Sequence, residues 1–481
     1  MWLLFAILLA AAAAAPGLVR WKARLAPALS LLPLASGVYI VWASLQGVHA
    51  AGLGWAPALG IRFSFALDGL GLLFAYLICG IGVLIFLYAA AYLEGDQRIG
   101  RFFSYLLLFF ASMLGLVLAD NVMLLFVFWE LTSLSSFLLI GFDHERAAAR
   151  DAALQTLLVT GLGGLALLAG LLMLGLAGGS YEISELIARR AALGGHPWFI
   201  PASVLIIAGA MTKSAQFPFH FWLPSAMEAP SPVSAYLHSA TMVKAGVYLL
   251  ARLAPLAGSS ELWRALVTGA GAVTVVVGFL AAVPQRDGKR MLAYSTVGSL
   301  GVFTMLIGVG TPAALYGAMA MLLAHALYKA SLFLYAGIMD HATGSRDVHE
   351  WRGVWKSMPL TAAAAALAGA SLAGMPPFFG YVAKEQMLAA LWDAPGFAVA
   401  GWIAAGLAGV VSVFLAGLLA WRPLRGEMAA EHFHPPGLLL WAPPAALAVL
   451  GGMKPQWLAL PLAAGGAWLL LRARARGADG S

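Results

Sequence analysis

The chain has 481 residues, 62% of them hydrophobic and only 10% charged, with a formal net charge of +7. Soluble domains carry roughly 25% charged residues, so this composition excludes one and places the chain in a bilayer. Its single cysteine, Cys79, excludes an intrachain disulfide and cannot hold an iron-sulfur cluster alone. With no Cys-x-x-Cys-His haem site either, no cofactor is expected and any redox chemistry belongs to a partner.

A helix needs about 20 apolar residues to cross about 30 Å of hydrocarbon. Fifteen candidate spans meet that pattern, centred near residues 10, 36, 80, 110, 131, 165, 208, 242, 275, 300, 325, 370, 408, 446 and 464. The alternation of a membrane barrel is absent, so the fold class is an all-α polytopic membrane protein of 14–15 transmembrane helices. The first segment, "MWLLFAILLAAAAAAPGLVR", has its basic residues after the apolar run, not before it, and is read as a retained helix, not a signal peptide. Polar stretches near 178–197, 340–357 and 422–436 are too short to form a soluble domain.

Lysine and arginine set the orientation. Loops after odd-numbered spans hold eighteen of the 28, against five in loops after even-numbered spans. The positive-inside bias then puts the N-terminus outside and the C-terminus in the cytoplasm. Five basic residues remain inside or close to spans and need another explanation: Lys213, Lys244, Arg252, Lys329 and Lys384.

Helix breakers cluster twice. Pro218 and Pro224, followed by Pro230 and Pro232, surround the seventh and eighth spans, and "GMPPFFGYVAKE" carries Pro376 and Pro377 in the twelfth. Each break stands near a lysine, Lys213 or Lys384. Paired broken helices point to a repeated transporter architecture, in which freed backbone is expected to face a polar interior. The run "TGLGGLALLAG" (160–170) is read as a surface for close helix packing.

An ionised group at mid-bilayer costs about 2.5–3.5 kcal/mol on insertion scales, so each one is a functional candidate that wants a partner. Glu130, in "VFWELTSLSSF", is the carboxylate of the fifth span, and Lys213 in the seventh is its expected partner. Burial disfavours the charged form of both and pairing favours it, which is the competition a proton carrier uses. His238 and Lys244 are six apart and do not share a helix face, whereas His325 and Lys329 are four apart and do. Histidine titrates near neutrality and suits a relay between lysines. Lys384 ends the series near the membrane boundary, where snorkelling to the interface is the plain alternative. His220, beside the first break, is either part of the polar path or structural. Neither His238 nor His325 has a Cys or His at ligand spacing, so no metal site is expected.

The segments "FWELTSLSSFLLIGF", "KSAQFPFHFWLPSAMEAPSPVSAYLHSATMVKAGVYLL", "KRMLAYSTVGSLG" and "LLAHALYKASLFLYAGIMDHATGSRD" resemble the antiporter-like subunits shared by Mrp sodium/proton antiporters and respiratory complex I. The likeness runs from about residue 60 to about 390. The histidines of "FPFHFW" and "LLAHALYK", and Met321 one turn before His325, make it more similar to the large A subunit of Mrp antiporters than to subunit L of complex I. The resemblance implies two inverted five-helix repeats around a hydrated mid-membrane axis. That divides the chain into N-terminal helices 1–3 (1–95), a first repeat of helices 4–8 (96–255), a second of helices 9–13 (256–422) and C-terminal helices (423–481). It also implies the residue roles: a pair at Glu130 and Lys213, then His238, Lys244, His325, Lys329 and Lys384. Mrp A subunits usually continue past this length, so the remainder is expected in a separate polypeptide or to be missing from a shortened relative.

The expected function is proton translocation along this Glu/Lys/His axis within a hetero-oligomeric cation/proton antiporter of the bacterial inner membrane, with Na⁺ as the counter-ion. The partners are H⁺, that cation, other membrane subunits and the lipid bilayer, with no role for nucleic acid and no bond-making chemistry. The rivals are a proton-pumping subunit of a complex I-like or hydrogenase-linked redox complex, an energy-coupling subunit of inorganic-carbon uptake, and an inert scaffold.

Overall fold

The computed structural model describes residues 1–21, 23–47, 50–57, 61–258, 260–392, 394, 398–426 and 437–452. Helices stand at fourteen of the fifteen expected positions. The fifteenth, near residue 464, lies outside the described residues. Ten described helical segments are long and apolar enough to cross a membrane; Leu3–Val19, Phe199–Lys213, Pro359–Ala373 and Leu438–Gly452 are shorter apolar helices.

In chain order the first helices are α1 (Trp2–Trp21), α2 (Leu31–Leu45), α3 (Gly69–Tyr92), α4 (Ile99–Leu118), α5 (Val122–Ile140) and α6 (Ala147–Gly178). Two short surface helices, α7 (Ile183–Ala188) and α8 (Arg190–Gly194), lead into α9 (Phe199–Lys213). After the first break come α10 (Trp222–Ser225), α11 (Ser231–Ser239) and α12 (Ala245–Ala257), then α13 (Glu261–Ala282), α14 (Gly288–Val309) and α15 (Pro312–Thr343). The last are α16 (Val354–Ser357), α17 (Pro359–Ala373), α18 (Phe379–Trp392), α19 (Ala398–Ala416) and α20 (Leu438–Gly452).

Between α2 and α3 the chain forms an antiparallel hairpin that the apolar pattern does not reveal, β1 (Ala50–Ala56) against β2 (Ile61–Ala66). Its strands are short and β1 carries Gly52 and Gly54, so they read as loop in the sequence. Beyond β2, Asp68 accepts the Gly71 amide and caps α3.

Without a hydrophobic drive between lipid-bathed helices, close approach depends on small residues. The α13–α14 pair is the clearest case: a Cβ on Gly278 would lie 2.3 Å from the Gly298 nitrogen, and one on Gly271 2.3 Å from the Met305 nitrogen. Gly170, from the run 160–170, acts likewise on α6, where an added Cβ would lie 2.8 Å from the Ala202 carbonyl oxygen of α9. The most buried spans, α14, α15 and the α11–α12 segment, carry Lys244, His238, His325 and Lys329, so the ionisable groups gather where the bundle screens them from lipid.

Candidate functional site

Lys213 is the last residue of α9 and fully buried. Its ammonium donates to the Trp129 carbonyl at 3.1 Å and the Ser133 hydroxyl at 2.7 Å, both on α5, and lies 5.2 Å from the centre of the Trp129 ring. Serine and threonine in a membrane helix turn their hydroxyls onto the preceding turn, as Thr132 does onto Trp129, and this creates a polar notch in an apolar segment. The expected ion pair with Glu130 is not formed. Glu130 stays an electrostatic neighbour of Lys213, but its side chain turns toward α6, and its buried Oε1 makes no hydrogen bond within the described residues. Gly164 makes the room: a Cβ there would stand 1.9 Å from that oxygen. The reason is steric, since the notch on α5 holds the ammonium while the carboxylate fills the gap opposite a glycine.

The second cluster lies between α14 and α15. Lys329 donates to the Leu292 carbonyl at 3.2 Å and makes a short contact with the Ser295 hydroxyl. The arrangement is that of Lys213: a carbonyl and a serine hydroxyl within one turn of a neighbouring helix, and no carboxylate. Lys244, in the turn between α11 and α12, donates to the Leu322 carbonyl of α15 at 3.1 Å. His325 lies one turn further along α15, within electrostatic reach of both Lys244 and Lys329 and near the Ser239 backbone. The spacing of His325 and Lys329 indicated one shared face; the arrival of Lys244 from another element was not legible.

Lys384 does not snorkel. From α18 it turns back across the second break and donates to the Leu372 carbonyl at 2.8 Å, at the negative C-terminal end of α17. Its chain covers Gly374, which has a φ of 77° and stands 2.7 Å from the Lys384 Cδ if given a Cβ.

Three of the four helix-break prolines lie in the expected breaks and Pro224 does not. Pro218 lies in the first break and Pro376 and Pro377 in the second, both breaks containing a cis X-Pro bond, while Pro224 is buried within α10. Phe217 and Phe221 are 42% and 44% exposed and Met375 is 45% exposed, so the break loops face outward from this chain. In the first break, side chains satisfy freed backbone: Gln216 donates to the Ser214 carbonyl, Trp222 to the Thr212 carbonyl, and the Phe217 amide to the Thr274 hydroxyl. His220 stacks on Phe217 at 5.8 Å in this outer loop.

His238 is buried, with neither ring nitrogen hydrogen-bonded within the described residues. Its charged neighbour is Lys289, a residue that the sequence groups with Arg286 and Arg290 as loop charge. Lys289 is 2% exposed, lies in the first turn of α14 and donates to the Ala229 carbonyl. Ala229 borders a cavity of about 230 Å³ that is also lined by Glu94, Asp96, Asp143, Glu228, His341 and Arg346. Asp287 capping α14 was the available signal, because a capped start at Gly288 places Lys289 in the first turn of a helix and not in the loop. Arg252 is also accounted for: it forms a two-point ion pair with Asp68 and donates to the Tyr248 hydroxyl.

The described residues form a helical membrane bundle whose interior lysines are held by neutral acceptors. Residues 119–416 match the family described as NADH:quinone oxidoreductase/Mrp antiporter, TM, and residues 55–103 match NADH-ubiquinone oxidoreductase (complex I), chain 5 N-terminus. The chain belongs to the NADH:quinone oxidoreductase/Mrp antiporter family. It is 46% identical over 373 residues to the probable A/B subunit of a K(+)/H(+) antiporter of Rhizobium meliloti, covering 78% of this chain and 37% of that protein. It is 48% identical over 347 residues to the A1 subunit of a Na(+)/H(+) antiporter of Staphylococcus saprophyticus, covering 69% of this chain and 43% of that one. The chain thus spans less than half the length of these curated relatives. A chain in the structure of the Mrp complex from Dietzia sp. superposes with a TM-score of 0.87 at 39% identity, over 96% of this chain and 51% of that one. A chain of the archaeal membrane-bound sulfane sulfur reductase shares the fold, with a TM-score of 0.83 at 23% identity over 97% and 96% of the two chains.

Proposed function

We propose that this chain is the proton-translocating module of a multi-subunit cation/proton antiporter, exchanging H⁺ for a cation, Na⁺ first, in a bacterial cytoplasmic membrane. The observation that carries the reading is the set Lys213, Lys244, Lys329 and Lys384, each donating to carbonyl or hydroxyl oxygens and, among the described residues, none to a carboxylate. An ammonium held only by neutral dipoles is not locked in the charged form by an ion pair, so a small rearrangement of its surroundings changes its protonation. His325 stands between two of these lysines and suits a relay. Glu130, unpaired beside Lys213, is the movable counter-charge: turning toward the ammonium favours its proton, and turning away releases it.

Protons enter this axis from the cavity beside Glu228 through Lys289 and His238. The first repeat comprises 96–255 and the second 256–422, each with one broken helix, flanked by N-terminal helices within 1–95 and C-terminal helices within 423–481. The N-terminus is outside and the C-terminus cytoplasmic, which puts the cavity on the cytoplasmic face.

The test is proton flux in vesicles that contain the assembled complex, comparing Na⁺, K⁺ and Li⁺. Lys213→Ala and Glu130→Ala abolish cation-dependent flux while assembly stays normal. Intact flux in both variants defeats the proposal, and proton movement that ignores cation gradients and follows a partner's electron transfer assigns the chain to a redox complex instead.

A further inference from the structure

At the membrane face shared by the start of α4, the end of α5 and the start of α6, a second cavity of about 360 Å³ has no part in the axis. Its walls divide by chemistry. Tyr105, Phe137 and Leu154 give it an apolar side, with Leu154 49% exposed at the bundle surface, while Arg101, Arg150 and His144 give it a basic side.

The two arginines differ from others at this face. Arg98, Arg146, Arg290 and Arg346 each pair with a carboxylate. Arg101 and Arg150 form no ion pair among the described residues. Arg101 lies over the Phe142 ring at 5.6 Å with its Nε buried and unbonded, and the nearby Asp96 is already held by Arg98. Arg150 donates only to the His144 and Glu145 carbonyls, at 2.7 and 3.1 Å. Two guanidinium groups without an anion therefore border a cleft whose other wall is apolar.

A guanidinium fork matches phosphate oxygens, and such basic pockets between transmembrane helices suit anionic lipid headgroups. A soluble anion has no use for the Tyr105, Phe137 and Leu154 wall, whereas an acyl chain does. The charge bias of the loops puts this face toward the cytoplasmic, anionic leaflet. We propose that the cleft binds an anionic phospholipid, its phosphate on Arg101 and Arg150 and an acyl chain along Phe137 and Leu154.

The test is native mass spectrometry and thermal stability of the full chain in neutral detergent, titrated with phosphatidylglycerol, phosphatidylcholine or inorganic phosphate. Phosphatidylglycerol is expected to bind and raise the melting temperature where phosphatidylcholine and inorganic phosphate do not. Arg101→Gln and Arg150→Gln each weaken it about tenfold, the loss of one charge-assisted hydrogen bond. Arg190→Gln, on α8 at the opposite face, leaves binding unchanged. Should Arg101→Gln fail to fold, Arg150→Gln, at an exposed position, carries the test. Equal binding of the two lipids overturns the proposal, as does unchanged affinity in a folded Arg150→Gln variant. Phosphate binding as tight as the lipid's makes the cleft a free-phosphate site and overturns it too.

Discussion

At the scale of single residues, the behaviour of the axis depends on what each charged group touches. Gly164 and Gly163 are adjacent on α6 yet face different neighbours, and that difference is testable. A Cβ at 164 meets the free end of Glu130, which can swing, whereas a Cβ at 163 would lie 1.7 Å from the Thr212 Oγ1 and 2.6 Å from its Cβ. Gly164→Ala therefore leaves thermal stability within about 1 kcal/mol but lowers flux by displacing Glu130, while Gly163→Ala costs roughly 1–3 kcal/mol through overpacking. Denaturation and vesicle flux, measured side by side, separate the two effects. Lys289→Ala removes the proposed link between the cavity beside Glu228 and His238, so flux falls without loss of assembly. His220→Ala keeps full flux, because its ring stacks in an outward loop away from the lysines; a drop would put His220 on the path.

At the scale of elements, ion pairs hold the bundle where helices end. Arg252 on α12 is tied to Asp68 at the start of α3, joining these two helices. Removing one partner leaves a poorly solvated charge, so Arg252→Met is expected to destabilise by about 2–3 kcal/mol, below the fully buried range because Asp68 is partly exposed. Adding Asp68→Leu restores part of that loss, and a double-mutant cycle in detergent measures the coupling. Between α3 and α4, the Arg98 side chain bonds Asp96 and holds its carboxyl below the usual range. A lowered folded pKa gives stability that is fully present above the unfolded value of about 3.9 and is lost as pH falls through the folded one. The difference in melting temperature between wild type and Asp96→Asn is accordingly constant from neutral pH to about pH 5, begins to shrink near pH 4 and disappears only once pH has fallen below the lowered folded value.

At the scale of the whole molecule, the proposed orientation is set by loop charge and can be read directly. In a Cys79→Ala background, a membrane-impermeant thiol reagent reaches Ala191→Cys, after the sixth span, from outside intact cells. It reaches Glu145→Cys, after the fifth, only once the membrane is opened. Labelling in the reverse order would invert the topology, and with it the side from which the cavity beside Glu228 fills.

The helical spans, the glycine surfaces and the two breaks were legible in the sequence because hydrocarbon imposes one rule everywhere: apolar length, internal backbone bonding and small residues at contacts. The identity of the buried lysines was legible for the same reason, since an ionisable group in an apolar run stands out without any knowledge of its neighbours. Their partners were not. Lys213 turns to Trp129 and Ser133 and leaves Glu130 unpaired, Lys244 crosses to α15, and Lys384 folds back onto α17, each through a contact between elements far apart along the chain. Lys289 was hidden by the opposite error, because a lysine among loop charges looks solvated until the packing of α14 against Ala229 buries it. The sequence alone determined a many-helix membrane bundle with charges in its middle. Only the tertiary structure decided which charges meet, because hydrogen bonds and ion pairs form over a few ångströms and depend on side-chain direction, which no periodicity records.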